Sequence, residues 1–231
     1  MTSIPRPFPS SNYDLNHNIT QKYLNFRNGF FIEAGAADGF HQSNTWNLEK
    51  YKGWKGILVE PNHDAFNQCV YHRPNSKVYN CALVDNDFKD TELEIYQREV
   101  FNGDPGLMST ASFSPLNNEQ DWIKHGVKNK FKIKARTLDS ILDENNIRFI
   151  DYLSLDVEGL EYNILKGFNI EKYLPKVVSI ECHLDSEKIM DYMSKTHDLI
   201  EIIGTFDYVF LLKYYSFGLA RDIVENETNN N

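Results

Sequence analysis

The spacing of apolar and polar positions changes several times along this chain, and each change predicts an element. Phe30-Phe31-Ile32 is an unbroken apolar run, which reads as a strand buried on both faces, and it passes directly into Glu33-Ala34-Gly35-Ala36-Ala37-Asp38-Gly39. Ser43 to Tyr51 sets Trp46, Leu48 and Tyr51 among polar residues, the spacing of a helix with one buried face, and Gly53 stops it. Lys55 to Val59 is a second apolar strand, His63 to His72 a helix ended by Pro74, and Lys77 to Leu83 a third strand. Thr91 to Val100 alternates like a fourth. Thr137 or Asp139 can cap a helix running on through Leu142. Ile150 to Asp156 and Lys176 to His183 are further strands, with a helix ending at Gly167 between them. Strands alternating with helices predict an α/β fold whose parallel strands are joined by right-handed crossovers, the first three forming a β-α-β-α-β nucleotide-binding half.

Outside these elements the chain is less regular. Residues 1 to 20 are rich in proline, serine and asparagine and predict an irregular arm, and Gln21 to Phe26 a short lead-in helix. Residues 101 to 130 hold the turn cluster Asn102-Gly103-Asp104-Pro105-Gly106 and the small polar run Met108 to Ser112, which suits either a flap over a site or a long surface loop. The one strongly basic segment, Lys124 to Arg136, reads first as a solvated face and second as a contact for an anionic acceptor. Residues 221 to 231, with Asn226 to Asn231 asparagine-rich, predict a disordered tail, which leaves one domain over residues 21 to 220.

Composition narrows the function. With 231 residues and 41% hydrophobic content, the chain can bury the core of a single α/β domain. A net charge of −9 argues against a nucleic-acid partner, whose phosphates favour a basic surface. No apolar stretch is long enough to span a bilayer and no signal-peptide core precedes the first strand, so a soluble, cytoplasmic protein is expected. Cys69, Cys81 and Cys182 are three widely spaced residues that read as reduced thiols.

The chemistry gathers at strand ends. Gly35 and Gly39 permit a tight turn and close backbone approach to a ligand, and the helix opening at Ser43-Asn44 offers N–H groups to the same space. Glu60, at the end of the second strand and about 20 residues past the turn, stands where a carboxylate accepts hydrogen bonds from a ribose. A dinucleotide fits the turn poorly. The glycine pattern G-x-G-x-x-G is interrupted at Ala37 and Phe40, and Glu33 and Asp38 would repel a diphosphate. S-adenosylmethionine has no phosphate and carries a sulfonium and an ammonium, so it suits these carboxylates.

Two later strands also end in acids, at Asp156 and at Glu181 with His183. Methyl transfer to a hydroxyl requires either a general base for the proton or a divalent cation to acidify the alcohol, and Asp156, Glu181 and His183 suit both. An oxygen-rich set favours magnesium or manganese. Structural roles stand beside these: Asp156 as a helix cap, Glu158 as a partner for a backbone N–H, and His183 as a satisfied strand-end histidine.

Phe31 to Gly39, Ser43-Asn44-Thr45, Gly56 to Asn62, and Leu155-Asp156-Val157-Glu158-Gly159 with Glu161, Leu165 and Gly167 together resemble the FkbM family of S-adenosylmethionine-dependent methyltransferases. The resemblance implies a Rossmann-like class I methyltransferase fold: a mostly parallel seven-stranded sheet with helices on both faces, closed by an antiparallel hairpin from Leu199 to Phe206 and Tyr208 to Tyr215. It implies a donor site in which Glu33, Gly35 and Gly39, with Ala36, Asp38, Ser43 and Asn44, surround the methionine part. Glu60 takes the ribose, and Asn80, Cys81 and Ala82 lie near the adenine. Asp156, Glu158, Glu181 and His183 are the expected catalytic groups. The implied acceptor is a sugar hydroxyl on a glycan or glycoconjugate, with glycosyltransferases as the partners such a role brings. Some related sugar methyltransferases hold a metal between carboxylates near the donor, which makes Asp156 and Glu181 candidate ligands. A lipid, metabolite or RNA hydroxyl, or a non-catalytic interaction module, are the competing readings.

Overall fold

The computed structural model describes residues 19–98, 111–112 and 127–214. The N-terminal arm, most of the irregular stretch from 101 to 130 and the C-terminal tail lie outside them. Residues 19–22 are helical, earlier than the lead-in helix expected from Gln21, and bury Ile19. The chain continues through β1 (Phe30–Ala34), α1 (Trp46–Lys52), β2 (Lys55–Val59), α2 (His63–His72) and β3 (Lys77–Tyr79). Then follow β4 (Ala82–Leu83), β5 (Glu92–Arg98), β6 (Ala111–Ser112), β7 (Val127–Arg136) and α3 (Leu138–Glu144). The last part holds β8 (Tyr152–Leu155), α4 (Glu161–Lys166), α5 (Ile170–Tyr173), β9 (Val177–Glu181), α6 (Ser186–Met193), β10 (His197–Ile203) and β11 (Asp207–Leu212).

Seven strands form the main sheet in the order β10-β11-β9-β8-β1-β2-β3. β11 runs antiparallel to both neighbours, while the other pairings are parallel. Alternate residues of each strand face opposite cores, as the two-residue strand period requires. Ile32, Ala34, Ile57 and Val59 join Leu138, Ile141, Ile164 and Ile189 from α3, α4 and α6 on one side. Phe31 and Leu58 join Leu48 of α1, Cys69 of α2 and Trp54 on the other. Helices therefore cover both faces, and the apolar runs in the sequence are strands with no wet side.

The structure corrects the expected strand from Lys77 to Leu83. The chain leaves the main sheet after Tyr79, and Ala82-Leu83 pairs instead with Ala135-Arg136 of β7 in a second sheet, ordered β4-β7-β5-β6. Asn80 fixes the departure, its side-chain amide donating to the backbone oxygens of Glu60 and Pro61 at 2.9 and 3.0 Å. The basic segment is also more than a solvated run. From Lys130 to Arg136, charged and apolar residues alternate strictly, and Phe131, Ile133 and Ala135 pack on Ala82, Val84, Leu93 and Ile95. Its lysines oppose acids across the ladder, Lys134 facing Glu92 and Lys132 facing Glu94, so their charge is partly answered within the sheet.

Candidate active site

The carboxyl ends of β1, β2 and β8 open onto one cleft of about 980 Å³, counting its open mouth. Gly35 and Gly39 both have positive φ, 81° and 74°. A Cβ on Gly35 would lie 1.7 Å from the backbone oxygen of Asp156, so only glycine lets the turn after β1 cross the end of β8. Ala36, Ala37, His41 and Ser43 continue the cleft wall from this turn. Glu60, Cys81 and Ala82 also line it, and Leu83, Leu93, Ile95, Leu160 and Ile164 make an apolar surface suited to a nucleobase. Leu93 and Ile95 come from the second sheet.

Glu60 and Asp156 thus face the same cavity. The Glu60 carboxylate accepts from the backbone N–H of Ala37 at 2.9 Å and of Asn62 at 2.7 Å. Burial pushes its pKa up to about 7 despite these bonds. Each carboxylate oxygen, with one protein donor, keeps a lone pair for a ligand hydroxyl.

Several expected donor residues stand behind the cleft. The Glu33 carboxylate accepts from the Asn44 N–H at 2.7 Å, the Ser43 hydroxyl at 2.9 Å, the Thr45 hydroxyl at 2.5 Å and Arg73 at 3.3 Å. Arg73, wholly buried, also donates to Glu49, Thr45, Ser43 and the Gly39 carbonyl, and its guanidinium lies 5.1 Å from the centre of the Phe31 ring. This knot shapes the loop from Gly39 to Thr45. It also consumes the N–H groups expected to face the ligand: α1 begins at Trp46, not Ser43, and the Thr45 and Trp46 N–H groups go to the Ser43 hydroxyl. Asn44 is buried, its amide donating to the Ser154 hydroxyl at 3.0 Å while its Oδ1 has no protein partner. Asp38 is buried behind the turn, and Asn80 is committed to the backbone beside β2. Sequence reading missed Arg73. The signal was present in two acids, Glu33 and Glu49, set on faces that the pattern buries, since buried carboxylates require a cation or several donors.

The other wall carries the acids of three adjacent strands. The registers Leu155 with Ile180 and Asp207 with Glu181 set Asp156, Glu181 and Asp207 side by side. Asp156 is pushed well above the usual carboxylate range by burial, then by Glu181, with Glu158 and Asp207 adding to it. Asp207 is raised to about 6, by burial and Glu181 against the opposing effect of His183. His183 Nε2 lies 3.2 Å from Glu181 and its ring sits 4.2 Å from that of the half-exposed Phe206. Glu158 points to the cleft from a left-handed backbone, φ 61°. Glu161 holds this turn, accepting from the Val157 and Gly159 N–H groups, each at 3.1 Å. Asp207 is the member that sequence reading did not single out.

Among the described residues, no three His, Cys, Asp or Glu side chains are grouped so as to hold a metal ion. Nor is any helix there long and apolar enough to cross a membrane.

The strand order, the single antiparallel strand β11, a glycine turn after β1 and an acid after β2 define a class I methyltransferase architecture. The model of the methyltransferase FkbM domain matches residues 33–210, and the chain belongs to that family. Among solved structures, it is similar to the FkbM methyltransferase from Methylobacillus flagellatus KT, with 14% identity and a TM-score of 0.49 over 80% of this chain and 43% of that one. The chain therefore spans less than half of that protein. It is also similar to a SAM-dependent methyltransferase from Aquifex aeolicus, with 8% identity and a TM-score of 0.42 over 88% of this chain and 93% of the other. No curated protein matches it.

Proposed function

We propose that this chain is an S-adenosylmethionine-dependent O-methyltransferase whose acceptor is a sugar hydroxyl of a glycan or glycoconjugate. The observation that carries the reading is the placement of Asp156 on the wall of the cleft that Glu60 and the Gly35 turn also line, with Glu181 on the adjacent strand. The donor supplies a methyl carbon that bonds to the acceptor oxygen as the sulfonium S–C bond breaks, its electron pair staying on sulfur. The hydroxyl proton goes to the ionised member of the Asp156–Glu181 pair. A carboxylate with raised proton affinity is the better base for that step. Glu60 orients the ribose, and the Gly35 turn with its Asp156 crossing fixes the distance between donor and base, so positioning does much of the work.

A sugar acceptor is supported by what borders the pair. Glu158, Glu181 and Asp207 can each accept from hydroxyls, and the Phe206 ring beside His183 offers a flat face to sugar C–H groups. Incubation with a glycan array and labelled donor, read by mass spectrometry, tests this. A mass gain of one methyl on a saccharide is the expected result. Labelling confined to lipids, metabolites or RNA would sink the sugar reading while keeping the methyltransferase.

A further inference from the structure

S-adenosylmethionine carries an α-carboxylate that needs a donor or a cation. The usual solution is free N–H groups in the turn and at the helix start, and most of those here are already committed. The backbone N–H groups of residues 35–37, 39–41 and 44–46 are all spent on protein acceptors. Among the described residues, the cleft wall holds three carboxylates, Glu60, Asp156 and Glu158, but no lysine or arginine. Among the described residues, its one cation-forming side chain is His41.

His41 is set rigidly. Its Nδ1 lies 2.5 Å from Oδ2 of Asp38, a buried carboxylate whose other oxygen accepts the Phe40 and His41 N–H groups at 2.9 Å. His72 of α2 anchors Asp38 from behind through the Asp38 carbonyl, at 2.8 Å. The Phe40 ring packs edge-on against the imidazole with centroids 4.9 Å apart, and against Trp46. With Nδ1–H donated to Asp38, Nε2 is left for the cleft, where a ring protonated on both nitrogens donates to an anion.

We propose that His41, oriented by Asp38, binds the α-carboxylate of the methyl donor. This rests on the donor reading above, and it divides the site by chemistry: acids for the sulfonium, ammonium and ribose, one histidine for the carboxylate. Asp38 is then a positioning residue for His41.

Calorimetric titrations with S-adenosylmethionine, S-adenosylhomocysteine and 5′-methylthioadenosine, which lacks the amino-acid tail, test the assignment. His41→Ala should weaken the first two by about 10- to 100-fold, the range of one charge-assisted hydrogen bond, and leave the third unchanged. Asp38→Asn should give a smaller loss with the same selectivity. An equal loss for all three ligands would assign His41 to loop structure and overturn the proposal. So would unchanged affinities, or a loss confined to turnover, which marks a base. Wild-type chain that binds none of the three overturns the donor reading, and this inference with it.

Discussion

Two groups of acids flank the cleft, and they are built in opposite ways. Behind the turn, Glu33 and Glu49 share the wholly buried Arg73, and hydroxyl and N–H donors take up the remaining lone pairs. At the far wall, Asp156, Glu181 and Asp207 adjoin one another with His183 Nε2 3.2 Å from Glu181, and burial and mutual repulsion raise the proton affinity of Asp156 and Asp207. A carboxylate saturated with donors cannot take a proton or a ligand, so the first group maintains shape. An unsaturated pair with raised proton affinity can do chemistry, so the second is where a proton transfer belongs. Identity as an acid does not separate the two; the partner does.

The largest expected effect falls on the second group. Asp156→Asn should lower kcat by about 10²- to 10⁴-fold, the range for loss of a general base, with an unchanged circular dichroism spectrum. Full turnover in both Asp156→Asn and Glu181→Gln would remove the pair from the mechanism. The first group should respond in stability instead. Arg73→Met leaves Glu33 and Glu49 buried without their cation and should cost about 3–5 kcal/mol in urea unfolding. Adding Glu33→Gln to that variant should recover part of the loss, because the two residues share one network. Additive losses would show that they are uncoupled.

Glu60 lies between the two cases, with two N–H donors and a raised pKa. Glu60→Gln should weaken donor binding by about 1.5–3 kcal/mol in a calorimetric titration. It also gives a pH signature. Because its folded pKa, about 7, exceeds its usual value of 4.5, the folded state prefers the protonated form. That contribution is full below pH 4.5 and lost as pH rises through 7, at most about 3 kcal/mol. Unfolding free energies should therefore fall across this window in the wild type and less in Glu60→Gln. An identical slope in both proteins would place the titration elsewhere.

How far the chain could be read in advance varied by element. The main strands, the Gly35 turn and the acids at Glu60, Asp156 and Glu181 were legible, because apolar runs, glycines and strand-end acids are local features. The hairpin was legible only through family likeness, and the structure puts its strands at His197–Ile203 and Asp207–Leu212. The alternation from Lys130 to Arg136 was a strand signal masked by its charge. The break after Tyr79 had no local sign, since Lys77 to Leu83 has strand character throughout and only the position of β7 decides where it divides.

By itself, then, the sequence determined which segments are strands and helices, and that a glycine turn and a row of strand-end acids share one edge of a sheet. Tertiary structure decided which acids are paired. Arg73 reaches Glu33 across 40 residues and Asp156 meets Glu181 across two strands, while His41 is held by Asp38 within a single turn. Periodicity is written in neighbours along the chain, whereas the charge and proton affinity of a buried group depend on whatever the fold brings within hydrogen-bond reach.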